Sequence, residues 1–287
     1  MSAPRYKHIA LITGAGTGIG RDLSLLLAQS GMRVYATMRK PERMAEVQAL
    51  LDEQGSDVAE HVTISPLDVT KPEEIQTIRE TILRDEADDL AAGATMVLIN
   101  NAGFGIAGAI EDLQPDDFRR IMETNYFGAV NFTKAFLPEL RFAGRGRIIQ
   151  ISSGFGRVGA PLMSAYNASK FALEGFSEAL RYEMLPFGVF VSLIEPGPVK
   201  TEFAENMAES PGHDDSPYAK LYKRADMVVE KSAAVASDAR DVSKAVVKAI
   251  EARYPALRYE VGIGGLLAKV TNQFAPQNLI EGIYRFV

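Results

Sequence analysis

Tyr166 and Lys170 are four residues apart in a stretch with helical character, so a phenol and an ammonium share one helix face. A cation beside a phenol favours the phenolate and lowers a pKa otherwise about 10. That pairing suits general acid–base work at neutral pH. Ser152-Ser153 lies upstream, with Ser153 thirteen residues before Tyr166. A serine hydroxyl aimed at the same substrate oxygen would orient it and stabilise developing charge. A lone Tyr-x-x-x-Lys usually decorates a helix surface. Here the upstream serine, the position of both ends after strand exits, and a legible dinucleotide site together point to chemistry.

The dinucleotide site begins at Thr13-Gly14-Ala15-Gly16-Thr17-Gly18-Ile19-Gly20, directly after the apolar run His8 to Ile12. Glycines at 14, 18 and 20 permit a tight turn and close approach of backbone to a pyrophosphate, and the helix that follows offers unpaired N–H groups. Gly20 is expected at the contact of helix against sheet. The second strand ends Met38-Arg39-Lys40. No carboxylate stands there to accept the ribose hydroxyls of NAD, and a guanidinium pairs with a 2′-phosphate. NADP(H) is therefore favoured, with NAD(H) the alternative. Asp68 is placed to accept from the adenine amino group, with Val69 as a wall beside the ring. Asn100-Asn101-Ala102-Gly103 ends the fourth strand, where small residues admit the nicotinamide-side ribose and Asn101 can lock neighbouring backbone.

These groups need a scaffold, and the chain supplies the rhythm of one. Short apolar runs at 8–12, 33–38, 62–67, 96–99, 147–151, 189–194 and 258–261 alternate with longer helical patterns at 21–28, 41–52, 71–88, 115–139, 163–185 and 239–253. Strands separated by such helices make parallel crossovers, and runs apolar throughout are buried on both faces. The expected fold class is α/β: a Rossmann-type doubly wound parallel sheet with helices on both faces. Residues 1–287 read as one dinucleotide-binding catalytic domain, with a partly helical lid at about 201–230 and a C-terminal tail of mixed character at about 262–287.

The composition excludes other classes. The chain has 287 residues with 31 Lys plus Arg against 37 Asp plus Glu, a net charge of −6, which does not suit a nucleic-acid backbone as main partner. Without cysteine there is no disulfide, thiolate catalysis or thiolate metal site, and His8, His61 and His213 lack zinc-ligand spacing. No signal peptide precedes the first strand and no apolar run reaches membrane-spanning length, so a cytoplasmic, metal-independent protein is expected.

In combination and order, the motifs resemble the short-chain dehydrogenase/reductase family: Thr13 to Gly20, Asn100 to Gly103, Ser153 with Tyr166-Asn167-Ala168-Ser169-Lys170, and Pro196-Gly197-Pro198-Val199-Lys200-Thr201. The resemblance covers residues 6–200 in motif detail. It implies that Tyr166 gives or takes the hydroxyl proton, Ser153 holds the substrate oxygen, and Lys170 bonds the nicotinamide ribose and depresses the tyrosine pKa. It also implies that Asn125 holds a water relaying protons from Lys170. Gly14, Gly16, Thr17, Gly18, Ile19 and Gly20 would cradle the cofactor, and Pro196, Gly197, Val199 and Thr201 would bind at its nicotinamide end. Phe171 to Leu180 and Leu185 to Val189 are similar to the branch of estradiol 17-beta-dehydrogenases, retinol dehydrogenases and bacterial relatives.

The implied activity interconverts a carbonyl and an alcohol. An NAD-dependent oxidative dehydrogenase and a catalytically silent nucleotide-binding regulator are the alternatives. Phe104, Ile106, Phe155, Leu162, Met163, Phe203 and Met207 are expected to line an apolar substrate pocket. His213 is read as an exposed lid residue, and Asp214 and Asp215 disfavour a strongly anionic substrate. Tyr259, Phe274, Tyr284 and Phe286 could cover the pocket or pack between subunits. The family assembles as homodimers or homotetramers through the two long helices at 115–139 and 163–185.

Overall fold

The computed structural model describes residues 3–203, 207–209, 216–276, 278, 281 and 282. Seven parallel strands form the central sheet: β1 (His8–Thr13), β2 (Arg33–Met38), β3 (Val62–Pro66), β4 (Thr95–Asn100), β5 (Gly146–Ile151), β6 (Val189–Pro196) and β7 (Arg258–Val261), in the order β7-β6-β5-β4-β1-β2-β3. The order reverses at β1, between β2 and β4, and that reversal opens a crevice at the strands' carboxyl ends.

Both faces of the sheet are covered, because alternate side chains of an all-apolar strand point opposite ways. Ala10 and Ile12 of β1 pack with Leu23 and Leu27 of α1 (Gly18–Gln29), Val47 and Leu51 of α2 (Pro41–Gln54), and a third helix from the C-terminal half of the chain, which supplies Val242, Val246 and Ile250. Ile9 and Leu11 point the other way, to Ile75, Ile78 and Ile82 of α3 (Pro72–Asp85) and to Phe132, Phe136, Leu140, Leu180 and Met184 of two longer helices. Those two belong to the segments expected at 115–139 and 163–185.

The first of them is not one continuous α-helix. It runs as α4 (Pro115–Met122), a π-helical turn Glu123–Gly128, and α5 (Ala129–Ala143). Proline opens α4, and Asp117 accepts from the Gln114 backbone N–H as half of a capping box. The second is α6 (Ser164–Met184). Helices α7 (Ala219–Ala233), α8 (Ala239–Glu251) and α9 (Gly262–Phe274) follow. Thus the lid's helix lies at its C-terminal end, and the tail opens with three turns of α-helix instead of the mixed character expected of it. His213, Asp214, Asp215, Tyr284 and Phe286 lie outside the described residues. Among the described residues, no helix is long and apolar enough to cross a membrane and no cluster of His, Asp and Glu is suited to a metal ion.

Two short parallel pairings carry the chain over the crevice. Val199–Lys200 pairs with Ser237–Asp238, and Ile106–Ala107 pairs with Ala208–Glu209. They fasten the exits of β6 and β4 to the segments that roof the site.

Candidate active site

A cleft of about 2040 Å³ opens along the carboxyl ends of β1, β2, β4, β5 and β6. Its first wall is the glycine-rich turn. Gly14 has φ +68°, and a Cβ there would sit 2.8 Å from the Ala102 Cα. Gly20 is equally constrained, since a Cβ would run into the Gly14 carbonyl and the Asn101 amide. Its tight contact is therefore with the turn itself, not with the sheet face as expected. Asn101 Nδ2 donates to the carbonyls of Thr13 (3.0 Å) and Gly14 (2.9 Å), while Thr13 Oγ1 accepts from the N–H groups of Asn101 and Ala102 (3.1 Å each). The β1 and β4 exits are thus clamped together by polar side chains that spend their hydrogen bonds on backbone.

Thr17, Gly16, Gly18 and Ile19 line this wall; Gly20 lies behind it. Arg39 and Lys40 stand exposed at its end, joined by Arg43 from the first turn of α2. Arg39 has no ion-pair partner among the described residues. Asp68 and Val69 line the cleft after β3, and Asp68 Oδ1 accepts from the Thr70 N–H (3.0 Å) and Oγ1 (2.8 Å). Asn101, Ala102 and Gly103 line it after β4, and Pro196, Gly197, Val199 and Thr201 after β6.

Sequence inspection gave no sign of Glu202. Its carboxylate reaches across to α1, where Oε2 accepts from the Gly18 N–H (3.1 Å) and Oε1 pairs with Arg21 (2.9 Å). Burial pushes this carboxyl up, but the backbone N–H groups and Arg21 outweigh it and hold the group below the usual range. An anion at a helix N-terminus is where the unpaired N–H groups and the dipole favour one.

The opposite wall carries the acid–base candidates. Tyr166 and Lys170 leave the first two turns of α6, and Ser153 follows β5. All three line the cleft and all are buried. Burial pushes the Tyr166 phenol up to about 12, opposed by a hydrogen bond with Ser153. Lys170 is pushed down to about 8 by burial, opposed by the Glu174 carboxylate. The expected depression of the phenol by Lys170 is not what the chain alone shows. The ammonium is 5.7 Å from the ring centroid and donates to the Ile151 carbonyl (2.8 Å), so burial wins at both groups.

Asn125 lies in the π-helical turn, fully buried behind the cleft lining. Its Oδ1 accepts from the Phe104 N–H (3.0 Å), and its Nδ2 donates to the Phe104 carbonyl (2.9 Å) and to Ser169 Oγ (3.1 Å). The side chain pins the β4 exit to the helix bearing Tyr166. Asn167 does the same for the other loop, donating to the carbonyls of Phe155 (2.7 Å) and Val158 (2.8 Å) and accepting from the Ala160 N–H (3.1 Å).

Of the expected substrate-pocket residues, Phe104, Phe155, Met163, Phe203 and Met207 line the cleft around Tyr166. Phe155 and Phe203 have ring centroids 6.4 and 5.7 Å from that of Tyr166. Ile106 and Leu162 do not reach the lining. Ile106 is fully buried among Leu113, Ile121 and Ala165, where it backs Tyr166. Leu162 has φ +62°, the left-handed region rare for a leucine, and this turns its side chain away to Tyr222 and Ala109. Val228 and Val229 of α7 and Leu267 and Ala268 of α9 roof the cleft; α9 was hidden by its Gly262-Ile263-Gly264-Gly265 start.

The short chain dehydrogenase family profile matches residues 8–212. The chain is 36% identical to 3-ketodihydrosphingosine reductase of Bacteroides thetaiotaomicron, covering 96% of this chain and 95% of that protein. It is 35% identical to human retinol dehydrogenase 8, covering 91% and 83% respectively. Its structure is similar to that of a short-chain dehydrogenase from Streptomyces avermitilis, with TM-score 0.81, 29% identity and 99% of each chain covered.

Proposed function

Because the chain belongs to the short-chain dehydrogenase family and is an oxidoreductase of that class, we propose that it interconverts an apolar aldehyde or ketone and its alcohol, using NADP(H) in preference to NAD(H). The observation that carries this is the convergence of Ser153, Tyr166 and Lys170 on one wall of a cleft whose other wall is the glycine-rich turn. A bound nicotinamide supplies or accepts the hydride.

The residues present fit such a cofactor. The close-packed glycines of the turn leave backbone facing the cleft at Gly14 and Gly16, while the Gly18 N–H, held by the Glu202 carboxylate, already serves an anion. Thr17 and Ile19 flank the same surface. Asp68 and Val69 suit the adenine, Asn101 to Gly103 the nicotinamide-side ribose, and Pro196, Gly197, Val199 and Thr201 the nicotinamide end. Arg39, exposed on the wall and without an ion-pair partner among the described residues, suits a 2′-phosphate.

Tyr166 donates its proton to the substrate oxygen in reduction and takes it back in oxidation, and Ser153 holds that oxygen. Lys170 would hold the ribose of a bound cofactor, and it supplies the positive charge that offsets the developing phenolate. Asn125 keeps the Phe104 backbone and Ser169 in register with Tyr166. The aromatic and methionine lining around Tyr166 favours an apolar substrate, in keeping with the 3-ketodihydrosphingosine and retinol for which two relatives are named. The Phe171–Leu180 segment supports a kinship with the estradiol 17-beta-dehydrogenase and retinol dehydrogenase branch. Phe127, Phe171 and Tyr182, exposed on the π-helical turn and α6, suit a homodimer face.

The test is nucleotide oxidation with NADPH and separately NADH against medium- and long-chain ketones, aldehydes, steroids and quinones. NADPH-selective turnover of apolar carbonyls is expected. Turnover with NADH alone overturns the cofactor preference, and cofactor binding without turnover across the panel overturns the substrate class.

A further inference from the structure

Directly behind Ser153 and Lys170 lies a group of charges that the acid–base reading does not use. Ser152 Oγ donates to Glu174 Oε1 at 2.6 Å. Glu174 Oε2 accepts from Arg258 Nε at 3.1 Å, and the same guanidinium reaches Glu195 Oε1 (3.1 Å) and Glu178 Oε2 (3.0 Å). Arg157 Nη1 donates to both oxygens of Glu195, at 3.1 and 3.3 Å. Five elements contribute: the β5 exit, α6, β6, β7 and the turn after Gly156. Glu195 is 0% exposed and Glu174 5%, whereas Glu178, at the outer end, is half exposed.

Buried carboxylates are costly unless paired and hydrogen-bonded, and breaking one pair strands the other charge. Two such groups beneath a cleft are therefore an expensive feature for a sheet end that apolar residues could fill. The packing has been shaped to keep them. A Cβ on Gly156 would lie 2.9 Å from Ser152 Oγ and 3.0 Å from Glu174 Cγ, so only glycine lets the turn close over the pair.

The group's connections lead to the reacting side chains. Glu174 is one helical turn beyond Lys170, on the same face of α6. Lys170 holds the Ile151 carbonyl, Glu174 holds Ser152, and Ser152 N–H donates to the Ile194 carbonyl (2.8 Å), so three successive anchors fix the strand end leading to Ser153.

We propose that Glu174 is a positioning residue of the hydride-transfer reaction: through Ser152 it fixes the strand end that carries Ser153, and its charge, balanced by Arg157 and Arg258, which it shares with Glu195, sets the field at Lys170 and Tyr166. This rests on the reading of Tyr166 as the acid–base group. Among the described residues, the charges facing Glu174 are Lys170 and Glu178 from α6, Glu195 from β6, Arg258 from β7 and Arg157 from the turn. Glu260, paired with Lys269 at 2.8 Å, acts on Arg157 from further along β7. Burial raises the Glu174 carboxyl above its ordinary value, opposed in part by Ser152, Arg258 and Arg157.

The consequence has a definite sign. Removing a negative charge lowers the pKa of every neighbouring acid and ammonium, so Glu174→Gln moves the Tyr166 titration to lower pH while keeping a side chain that can accept from Ser152. Ser152→Ala does the reverse, cutting the tether and leaving the charge.

The experiment is a pH titration of phenolate ultraviolet absorbance in the NADP+ complex, taken as the difference between each protein and its Tyr166→Phe counterpart. It needs no substrate. In the parent difference, a phenol titrating well below the ordinary tyrosine value upholds the acid–base reading. Its absence overturns that reading and this inference with it. With the phenol present, a shift of about half a pH unit or more toward acid in Glu174→Gln, and little shift in Ser152→Ala, supports the proposal. An unmoved curve in Glu174→Gln overturns it while the acid–base reading stands. Should Glu174→Gln fail to fold, Arg258→Gln carries the same test with opposite sign, because losing a cation raises the titration. An unmoved curve there overturns the proposal equally.

Discussion

The two sides of the cleft are held by different means. On the floor, Thr13, Asn101, Asn125 and Asn167 all spend side-chain hydrogen bonds on backbone of neighbouring loops, and close-packed glycines leave no slack. On the roof, α7 and α9 meet the cleft with Val228, Val229 and Leu267, which are themselves exposed, as are Met227, Ile263, Leu266, Val270 and Phe274. Polar side chains bonded to main chain fix atomic positions to a fraction of an ångström; apolar side chains at a partly exposed surface fix only shape and volume. The floor therefore suits a reaction whose geometry is invariant, and the roof suits selection among substrates.

Changes at the floor test this contrast most severely. Tyr166→Phe is expected to cut turnover on the order of 10^3-fold while leaving NADP(H) affinity unchanged by titration calorimetry; preserved turnover would show that the floor does not carry the chemistry. Gly20→Ala forces a methyl into the Gly14 carbonyl and is expected to destabilise the fold by about 3 kcal/mol, read from denaturant midpoints. A near-neutral result would mean that the turn has the slack denied to it above. For Arg39→Ala, loss of a charge-assisted hydrogen bond predicts about a tenfold or greater weakening of NADPH with NADH unaffected. Equal weakening of both would remove the 2′-phosphate role.

A pH measurement sharpens the picture of the floor's underside. Burial raises the Glu195 carboxyl from 4.5 to about 7, with the Glu174 charge adding and Arg157 and Arg258 opposing. Its folded-state value lies above the unfolded one, so the folded chain holds the extra proton. Its contribution is full below about pH 4.5 and is lost as pH rises toward 7. Glu195→Gln should flatten that decline in urea midpoint between the two values; an identical decline in the variant would discount the burial cost. The smallest effects belong to the roof. Val228→Ala and Leu267→Ala should alter KM several-fold among apolar substrates and leave stability within about 1 kcal/mol, and a collapse in stability would show the roof to be as tightly built as the floor.

What could be seen in the sequence follows the same division. The strands were legible because burial on both faces leaves unbroken apolar runs, and the meeting of Tyr166, Lys170, Ser153 and the glycine turn at one cleft because each follows a strand exit. The π-helical turn around Asn125 carries no compositional mark, so 115–139 read as one helix. Glu202 caps a helix that begins 184 positions earlier, and such a partnership leaves no local pattern. Ile106 and Leu162 have the character of pocket residues, but backbone geometry alone decides which way each points. Helix α9 was masked by its glycines: Gly262, at φ +72°, turns the chain out of β7, and Gly264 and Gly265 serve close packing on Gly154 and Gly197.

The strand order has a further consequence for how the molecule comes into being. In β7-β6-β5-β4-β1-β2-β3, every strand after the first pairs with one that precedes it in the chain. A ribosome delivering the protein from its N-terminus can thus add each strand to an edge already in place, and no strand waits for a later one to insert beside it. The glycine turn is made within the first twenty residues, yet the carboxylate that caps it emerges only after β6. The first wall of the cleft to be synthesised is among the last to be closed.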